Sequence, residues 1–260
     1  MRSYHSRTVL VTGASGGIGE AMARQLARDG ARLLLTARSE DTLHRLADEL
    51  RVQGAEAEVF AHDLGTPGAA QGLFDRITEA GHALDVLVNN AGFGKIGTFM
   101  EYEAGVYEGM VTLNVTNLVT LTRLALPGML QRGTGGVLNV ASTAAFQPVP
   151  YFAVYAATKA FVKSFTEALH AEVGGTGVAV TCLCPGPTDT GFFERADMDG
   201  VPGGRAAETP EKVARVGLEA LLENEHTVIS GLNNKVMAAA ARFAPTKAVL
   251  AVGKKMMQEF

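Results

Sequence analysis

Short apolar runs alternate with longer amphipathic stretches along most of the chain. The apolar runs lie near residues 8–12, 31–37, 57–61, 84–90, 136–141, 177–183 and 227–230. Their length and their branched apolar residues are typical of buried strands, whereas the stretches between them have the spacing of helices that bury one face. Because strands that alternate with helices pair in parallel, the pattern predicts a single α/β domain with a doubly wound, Rossmann-like parallel sheet of about seven strands.

The stretch from Pro187 to Thr209 is the longest one without a periodic pattern. It is rich in Gly, Pro and Asp but contains four large apolar residues, Phe192, Phe193, Met198 and Val201. Loops of this length are usually functional or disordered, and the phenylalanines favour a lid over an apolar substrate. A loop packed on the core is the alternative. Thr209 and Pro210 then predict the start of a helix, as its N-cap and its first residue.

A glycine-rich segment follows the first predicted strand. It reads Val9-Leu-Val-Thr12-Gly13-Ala-Ser-Gly16-Gly17-Ile-Gly19. Gly13 suits a tight turn, while Gly17 and Gly19 let the backbone approach a pyrophosphate and let a helix pack on the strand. A helix predicted over residues 20–29 would point its free N–H groups at a phosphate. The spacing differs from G-x-G-x-x-G, so a plain glycine turn is the alternative interpretation.

Tyr155 and Lys159 are four residues apart in a predicted helix, so they lie on one face, and Ser142 comes thirteen residues before Tyr155. A lysine ammonium beside a phenol lowers the pKa of that phenol, which must fall by about 3 from about 10 for chemistry near pH 7. A serine can hold a carbonyl oxygen where the phenolic proton arrives. The three residues predict general acid–base chemistry at a C=O or C–OH group. The alternative is that Tyr155 and Lys159 are ordinary residues of a helix surface.

Taken together and in this order, these motifs resemble the short-chain dehydrogenase/reductase superfamily in its single-domain Tyr-x-x-x-Lys form, over about the first 230 residues. The resemblance implies four catalytic residues, Asn114, Ser142, Tyr155 and Lys159. It also implies contacts with a nicotinamide dinucleotide from Gly13, Ser15, Gly16, Gly17, Ile18, Gly19, Asp63, Leu64, Asn90, Ala91, Gly92, Tyr155, Lys159, Pro185, Gly186, Thr188 and Thr190.

The resemblance also implies separate roles for several of these residues. Asp63 would contact the adenine ring, and the Asn-Asn-Ala-Gly stretch at residues 89–92 would stabilise the sheet. Lys159 would hold the nicotinamide ribose as well as lower the pKa of the tyrosine. Asn114 would hold a water molecule that links Lys159 to solvent, its alternative role being that of a packing amide inside a helix.

The end of the second predicted strand indicates which dinucleotide is preferred. A fold that prefers NAD places a carboxylate there to bind the ribose 2′-hydroxyl. This chain has Ala37, followed by Arg38 and Ser39, which could meet a 2′-phosphate. Gly16 stands where many NADP-preferring relatives have a basic residue. We predict that NADP(H) is preferred and that NAD(H) is possible, the alternative being that Arg38 is solvated and Ser39 caps the next helix.

The predicted activity is the NADP(H)-dependent reduction of a carbonyl to an alcohol. The substrate is expected to be a lipophilic ketone or of the 3-oxoacyl type, because the segment before Tyr155 is apolar and stiff: Phe146, Pro148, Val149, Pro150, Tyr151 and Phe152. Two other functions stay open. One is a regulatory protein that binds the dinucleotide without catalysis, and the other is an epimerase or dehydratase that uses the same Tyr155 and Lys159.

Composition narrows the partners and the compartment. The chain has 260 residues, 47% of them hydrophobic, and a net charge of −4, which predicts no nucleic-acid partner. No run is long enough to span a membrane, and the N-terminus lacks the apolar region of a secretory signal. Cys182 and Cys184 are predicted to be reduced thiols on one face of a strand, and the histidines lack metal-ligand spacing. We expect a cytoplasmic protein without a metal site.

We predict a dinucleotide-binding and catalytic domain at residues 1–232 and a helical extension of the same domain at residues 233–260. Within the extension, residues 245–257 have an apolar helical stripe with lysines beside it. This tail could pack on its own domain, dock on a partner subunit, cover the pocket or make peripheral contact with a membrane surface. We expect a homo-oligomer, because relatives associate through the helix that carries Tyr155 and the helix before it. A monomer whose tail covers that surface is the alternative.

Overall fold

The strands in the described part of the chain lie in one parallel sheet. The computed structural model describes residues 1, 3–198, 200 and 207–258. Its strands are β1 Thr8–Thr12, β2 Arg32–Thr36, β3 Glu56–Val59, β4 Val86–Asn89, β5 Gly135–Val140, β6 Val178–Cys184 and β7 Thr227–Ile229. They pair in the order β3-β2-β1-β4-β5-β6-β7. This confirms the predicted doubly wound sheet of seven strands.

Eight of the helices in the described part of the chain lie between successive strands, and two follow the last strand. They are α1 Gly17–Arg28, α2 Glu40–Val52, α3 Ala69–Glu79, α4 Ala104–Val111, α5 Asn117–Arg132, α6 Ala153–Glu172, α7 Phe192–Arg195, α8 Pro210–Glu223, α9 Leu232–Phe243 and α10 Thr246–Gln258. Helix α1 begins three residues before the predicted start, because the glycine turn itself forms the first helical turn, in which Glu20 N donates to Gly16 O. Helix α8 begins as predicted, and the Thr209 hydroxyl accepts a hydrogen bond from Lys212 N at 3.3 Å.

Apolar layers cover both faces of the sheet. Along β1, Val9 and Val11 belong to the layer that contains α1, α2 and α8, while Leu10 belongs to the layer that contains α3 and α5. Burial on both faces explains why the strands are continuous apolar runs. The strand order reverses between β1 and β4, and in open α/β sheets ligands bind in the crevice at such a reversal, at the carboxyl ends of the strands.

Four buried polar side chains tie the centre of the sheet to its helices. Asn89 of β4 donates to Asn139 of β5 at 2.9 Å and to Thr122 of α5 at 3.0 Å. Asn139 in turn donates to Thr166 of α6 at 3.0 Å. Because a buried amide is costly unless it is hydrogen-bonded, this chain fixes α5 and α6 relative to the strand ends that carry the site.

The two ends of the segment from Pro187 to Thr209 pair with each other. Thr188 and Glu208 form a parallel bridge, and the short helix α7 lies between them. Within it, Ala196 and Met198 are buried, whereas Val201, which the sequence analysis assigned to the lid, lies outside the described residues. The described part of this segment therefore packs on the domain.

None of the helices in the described ranges is both long and apolar enough to cross a bilayer.

Candidate active site

The glycine-rich turn is held against β4 by two polar side chains. The buried Thr12 hydroxyl donates to Val88 O at 3.2 Å and accepts hydrogen bonds from Asn90 N and Ala91 N, both at 2.9 Å. The Asn90 amide returns two hydrogen bonds, to Thr12 O at 2.9 Å and to Gly13 O at 3.3 Å. These bonds fix the shape of the turn and bring residues 90–92 next to it.

The glycines of this turn meet different requirements. Gly13 and Gly17 have φ of +67° and +55°, in the left-handed region that favours glycine. A Cβ at Gly19 would clash with Gly13 O and the Asn90 amide, whereas one at Gly16 would meet no atom within 4 Å. Gly19 is thus required for packing, while Gly16 faces open space at the start of α1. The N–H groups at that helix start fit the pyrophosphate of a dinucleotide.

The predicted adenosine end of the site lies beyond the turn. Arg38 and Ser39 are exposed at the end of β2, and neither side chain has a hydrogen bond or ion pair with the part of the chain that the structure describes. Ser39 precedes α2 but makes no capping hydrogen bond, so the alternative role as a cap is not observed. His62 N donates to Ala37 O at 3.0 Å, which places the exposed Asp63 close to this strand end.

The remaining residues of the loop and of this end have mixed surroundings. Leu64 is buried, and its carbonyl oxygen accepts a hydrogen bond from Asn117 at 2.7 Å. Ile18 packs on the core, and Ser15 is half-buried in the glycine turn. Of these three side chains, the hydroxyl of Ser15 is the polar group available to a ligand.

The segment after β6 closes the site from the other side. Pro185 O accepts a hydrogen bond from Thr143 N at 2.8 Å, and the Thr188 hydroxyl donates to Gly186 O at 3.0 Å. Thr190 faces the glycine turn, because a Cβ at Gly17 would lie 3.0 Å from its methyl group. The structure therefore brings the segment after β6 next to the glycine turn.

Tyr155, Lys159 and Ser142 meet at the carboxyl ends of β5 and β6. Tyr155 and Lys159 lie on one face of α6, with the ammonium 5.7 Å from the centre of the tyrosine ring. Lys159 donates to the carbonyl oxygen of Val140 at 2.8 Å, and Ser142 follows that strand end directly. The Ser142 hydroxyl accepts a hydrogen bond from Ala144 N at 3.1 Å and lies close enough to Tyr155 to lower the pKa of the phenol.

The pKa of Tyr155 differs from the prediction. Burial raises it from 10.0 to about 12, and the hydrogen bond with Ser142 opposes this only in part. Burial also lowers the pKa of Lys159 from 10.5 to about 8. The prediction that the pKa of this phenol falls is therefore wrong for the protein alone, because burial removes water from the phenolate and Lys159 is not among the groups that shift the pKa. Tyr155 is held as a neutral acid at neutral pH.

Asn114 lies in a π-helical turn, Thr112–Thr116, between α4 and α5. Its buried amide accepts a hydrogen bond from Phe93 N at 3.1 Å and donates to Phe93 O at 2.9 Å and to Thr158 at 3.1 Å. A Cβ at Gly92 would lie 3.0 Å from the Asn114 oxygen and 3.4 Å from the Lys159 nitrogen. The structure thus brings Asn114, Gly92 and Lys159 together, with the amide serving the Phe93 backbone.

An apolar cluster surrounds Tyr155. The Phe152 ring stacks on it with centres 4.1 Å apart and planes at 14°, and the Phe192 ring lies at 5.4 Å and 53°. Met257 of α10 packs against the same cluster. The predicted apolar surroundings are thus built from three distant segments of the chain, and any substrate that reaches Tyr155 meets aromatic rings.

Gly94 and Thr12 support the site, but the sequence analysis did not assign them to it. A Cβ at Gly94 would lie 2.5 Å from Phe152 and 2.9 Å from Tyr155, so only glycine leaves room for both rings. The signal was a second glycine just after Asn-Asn-Ala-Gly. Thr12 was part of the quoted glycine motif, but its role appears only once the Asn90 backbone is seen against it.

A separate cavity of about 320 Å³ lies away from this cluster, beside α6, β7 and α9. The Lys163–Glu167 ion pair, at 2.8 Å, lines it together with Phe146 and Thr227. It contains none of the predicted catalytic or dinucleotide-binding residues.

Comparison with known proteins agrees with this geometry. The family model described as short chain dehydrogenase matches residues 7–199. The ketoacyl reductase HetN of Nostoc sp. is 32% identical over 253 residues, which cover 95% of this chain and 88% of that protein.

Two solved structures are similar over most of the chain. A short-chain dehydrogenase from Sphingobium yanoikuyae in complex with NADPH is 32% identical with a TM-score of 0.82, covering 98% of this chain and 96% of that one. A short-chain dehydrogenase/reductase from Burkholderia phymatum in complex with NAD is 26% identical with a TM-score of 0.82, covering 92% and 94%. This chain therefore belongs to the short-chain dehydrogenase/reductase superfamily, as an oxidoreductase that acts on CH–OH or C=O groups with a nicotinamide dinucleotide.

Proposed function

We propose that this protein reduces a lipophilic ketone or a 3-oxoacyl-type substrate to the alcohol, with NADP(H) as the preferred dinucleotide. The observation that carries the proposal is the position of Tyr155. It is a phenol kept protonated by burial, with Ser142 close enough to lower its pKa and the Phe152 ring stacked on it.

Each residue of the site would have a separate role in this reduction. Ser142 holds and polarises the carbonyl oxygen of the substrate, and Tyr155 donates its proton to that oxygen. Lys159, anchored on Val140 O, stays mostly charged below about pH 8 and attracts the negative charge that develops on the phenol. Asn114 holds the Phe93 backbone in place beside Lys159. The bound nicotinamide supplies the hydride.

The substrate class follows from the apolar cluster. Phe152, Phe192 and Met257 give the reacting end of the site an apolar wall, which favours a lipophilic group over a sugar. The similarity to a ketoacyl reductase supports a 3-oxoacyl group as one such substrate.

The preference for NADP(H) rests on the free guanidinium of Arg38. A 2′-phosphate placed at the end of β2 would meet Arg38 and the uncapped Ser39 hydroxyl and would meet no carboxylate at Ala37. Relatives bind either NADPH or NAD, so this preference is specific to the residues of the chain itself.

We further propose that the enzyme is a homo-oligomer of the cytoplasm. Phe161 on α6 is 45% exposed and stacks on Phe165 at 6.0 Å, which leaves an aromatic surface on the helix that carries Tyr155. Both cysteines are free and buried, with sulfur atoms 3.7 Å apart on one face of β6, as a reducing compartment permits.

A turnover assay tests the proposed function. The protein and its Tyr155→Phe variant are compared on a panel of aryl ketones, long-chain ketones and 3-oxoacyl thioesters, with NADPH oxidation as the readout. We expect turnover with the apolar substrates and a loss of 10²-fold to 10⁴-fold in the variant, with NADPH binding unchanged. Tyr151→Phe, four residues earlier in the turn before α6, is the matched control.

Two results would overturn the proposal. Equal turnover in Tyr155→Phe would remove the tyrosine from the chemistry. Tight NADPH binding without turnover on the whole panel would favour the regulatory function.

A further inference from the structure

The last two helices of the chain expose an unusual amount of apolar surface. Helices α9 and α10 carry six of the twelve large apolar side chains that are exposed in the described part of the chain: Leu232, Val236, Met237, Phe243, Leu250 and Val252. Phe243 is 84% exposed and Val236 61%. Such a concentration of exposed apolar side chains is typical of a surface that binds another protein or a membrane.

The apolar side chains of α9 are arranged as an outward stripe. Asn234, Ala238 and Ala241 are the residues of the helix that turn toward the domain. At 3.6 residues per turn, Leu232, Val236 and Phe243 fall on the opposite side, in line with one another. Helix α9 therefore presents a continuous apolar line to the outside.

Helix α10 touches the domain along one narrow stripe and presents lysines elsewhere. Val249, Gly253 and Met257, spaced four residues apart, are half-buried, and a Cβ at Gly253 would lie 3.2 Å from Pro150. Its remaining described side chains are exposed, among them Lys247, Lys254 and Lys255. The helix is thus held on the active-site cluster by Met257 with its basic faces free.

The charge of this region is opposite to that of the whole chain. Residues 232–260 contain five Lys or Arg and one acidic residue, whereas the chain as a whole has 23 Lys or Arg against 27 Asp or Glu. In the described ranges, none of the five cations has a hydrogen bond or ion pair with another residue. Exposed apolar side chains together with free cations are the pattern of helices that lie in the interface of an anionic bilayer.

We propose that helices α9 and α10 dock the protein on an anionic lipid surface, with Leu232, Val236 and Phe243 inserted among the lipids and the lysines on the headgroups. A pairing of this surface with the same surface of a second copy would bring ten like charges together. The docking places α10, and with it the apolar cluster around Tyr155, at the lipid boundary. The docking itself does not depend on the proposed substrate.

The test uses the full chain and vesicles of two compositions. Sedimentation with phosphatidylcholine vesicles is compared with sedimentation with vesicles that contain phosphatidylglycerol as well. We expect binding to the second kind alone, weakened by salt, and roughly fivefold weaker for each lysine among Lys247, Lys254 and Lys255 that is changed to alanine.

Variants of exposed residues separate docking from folding. Val236→Ser combined with Phe243→Ser should weaken vesicle binding at least about tenfold. Val52→Ser, at an 89% exposed position of α2, is the matched control and should bind as the wild type does. The far-ultraviolet circular dichroism spectrum and NADPH affinity should be the same in all three proteins.

Three results would overturn the proposal. They are an absence of binding to anionic vesicles, equal binding to both compositions, and an equal loss in Val52→Ser. Light scattering in the absence of lipid tests the alternative that a second copy of the chain covers this surface. A wild-type dimer that becomes a monomer in the Val236→Ser, Phe243→Ser protein, with no vesicle binding, would assign this surface to a second copy of the chain.

Discussion

The Lys159 ammonium donates a hydrogen bond of 2.8 Å to the carbonyl oxygen of Val140, away from solvent. One polar contact compensates only part of the hydration that a buried ammonium loses, and burial accordingly lowers the pKa of Lys159 to about 8. The site therefore holds a charge that costs folding stability.

This cost predicts a pH-dependent effect of Lys159→Met. Between pH 8 and the ordinary pKa of 10.5, the unfolded chain binds a proton that the folded protein does not, so stability rises with pH across that window. The penalty is fully present below about pH 8. We expect Lys159→Met to raise the free energy of unfolding at pH 7 by about 2 kcal/mol, after the lost hydrogen bond is allowed for. The gain should shrink toward pH 10.5.

Urea unfolding at pH 7 and at pH 10 measures this difference. Lys163→Met, one turn further along α6, is the control and should give no gain, because it breaks the ion pair with Glu167. A Lys159→Met gain of the same size at both pH values would contradict the assignment of the cost to a buried charge.

Arg38→Ala should weaken the binding of NADPH and leave that of NADH unchanged. The guanidinium has no partner within the described part of the chain, so its removal deletes a phosphate contact without disturbing the fold. A charge-assisted hydrogen bond of this kind is worth about 1.5–3 kcal/mol, or roughly tenfold to a hundredfold in affinity. Fluorescence titration with both dinucleotides gives the ratio. Arg45→Ala, on the exposed side of α2, should alter neither affinity, and a parallel loss for NADH would place Arg38 away from the 2′-phosphate.

Thr12→Val should loosen the glycine turn. The substitution keeps the shape of the side chain but removes the acceptor of two backbone N–H groups, those of Asn90 and Ala91. The Ala91 N–H would then lose its acceptor, whereas the Asn90 N–H keeps the carbonyl oxygen of Val88 at 3.1 Å. An unpaired N–H group should cost about 1–3 kcal/mol in unfolding free energy, and the looser turn should weaken dinucleotide binding. Thr8→Val, at the other end of β1, is the control because its hydroxyl has no hydrogen bond within the described residues. Equal stability of the two variants would show that the Thr12 hydroxyl does not hold the turn.

Gly94→Ala should impair turnover more than dinucleotide binding. The added methyl group would displace the Phe152 and Tyr155 rings, which lie on the substrate side of the site, while the glycine turn is formed by other residues. We expect a fall in kcat of at least about tenfold with NADPH affinity within about twofold of wild type, because small displacements of a reacting group are costly. Steady-state kinetics and titration check both. Gly105→Ala, whose methyl group would meet no atom within 4 Å, should leave kcat unchanged.

Local signals in the sequence predicted the sheet and most of the site. The strands are continuous apolar runs because both faces of the sheet are covered. The glycine turn can be recognised because positions such as Gly13, Gly17 and Gly19 have no room or no favourable backbone conformation for another residue. The direction of the Tyr155 pKa shift could not be predicted in this way. It depends on burial by Phe152, Phe192 and Met257, which are far apart in the chain and meet only after folding. The fit of Gly94 under two rings has the same origin.

Met257 lies in the last turns of α10 and packs in the apolar cluster around Tyr155. The glycine turn of the predicted dinucleotide site lies within the first twenty residues of the chain. The glycine turn and this part of the apolar cluster therefore come from distant segments of the chain. We expect substitutions in α10 to change which substrates fit while the residues that hold the dinucleotide stay untouched. Such substitutions offer a route by which new substrate preferences can evolve without loss of hydride chemistry.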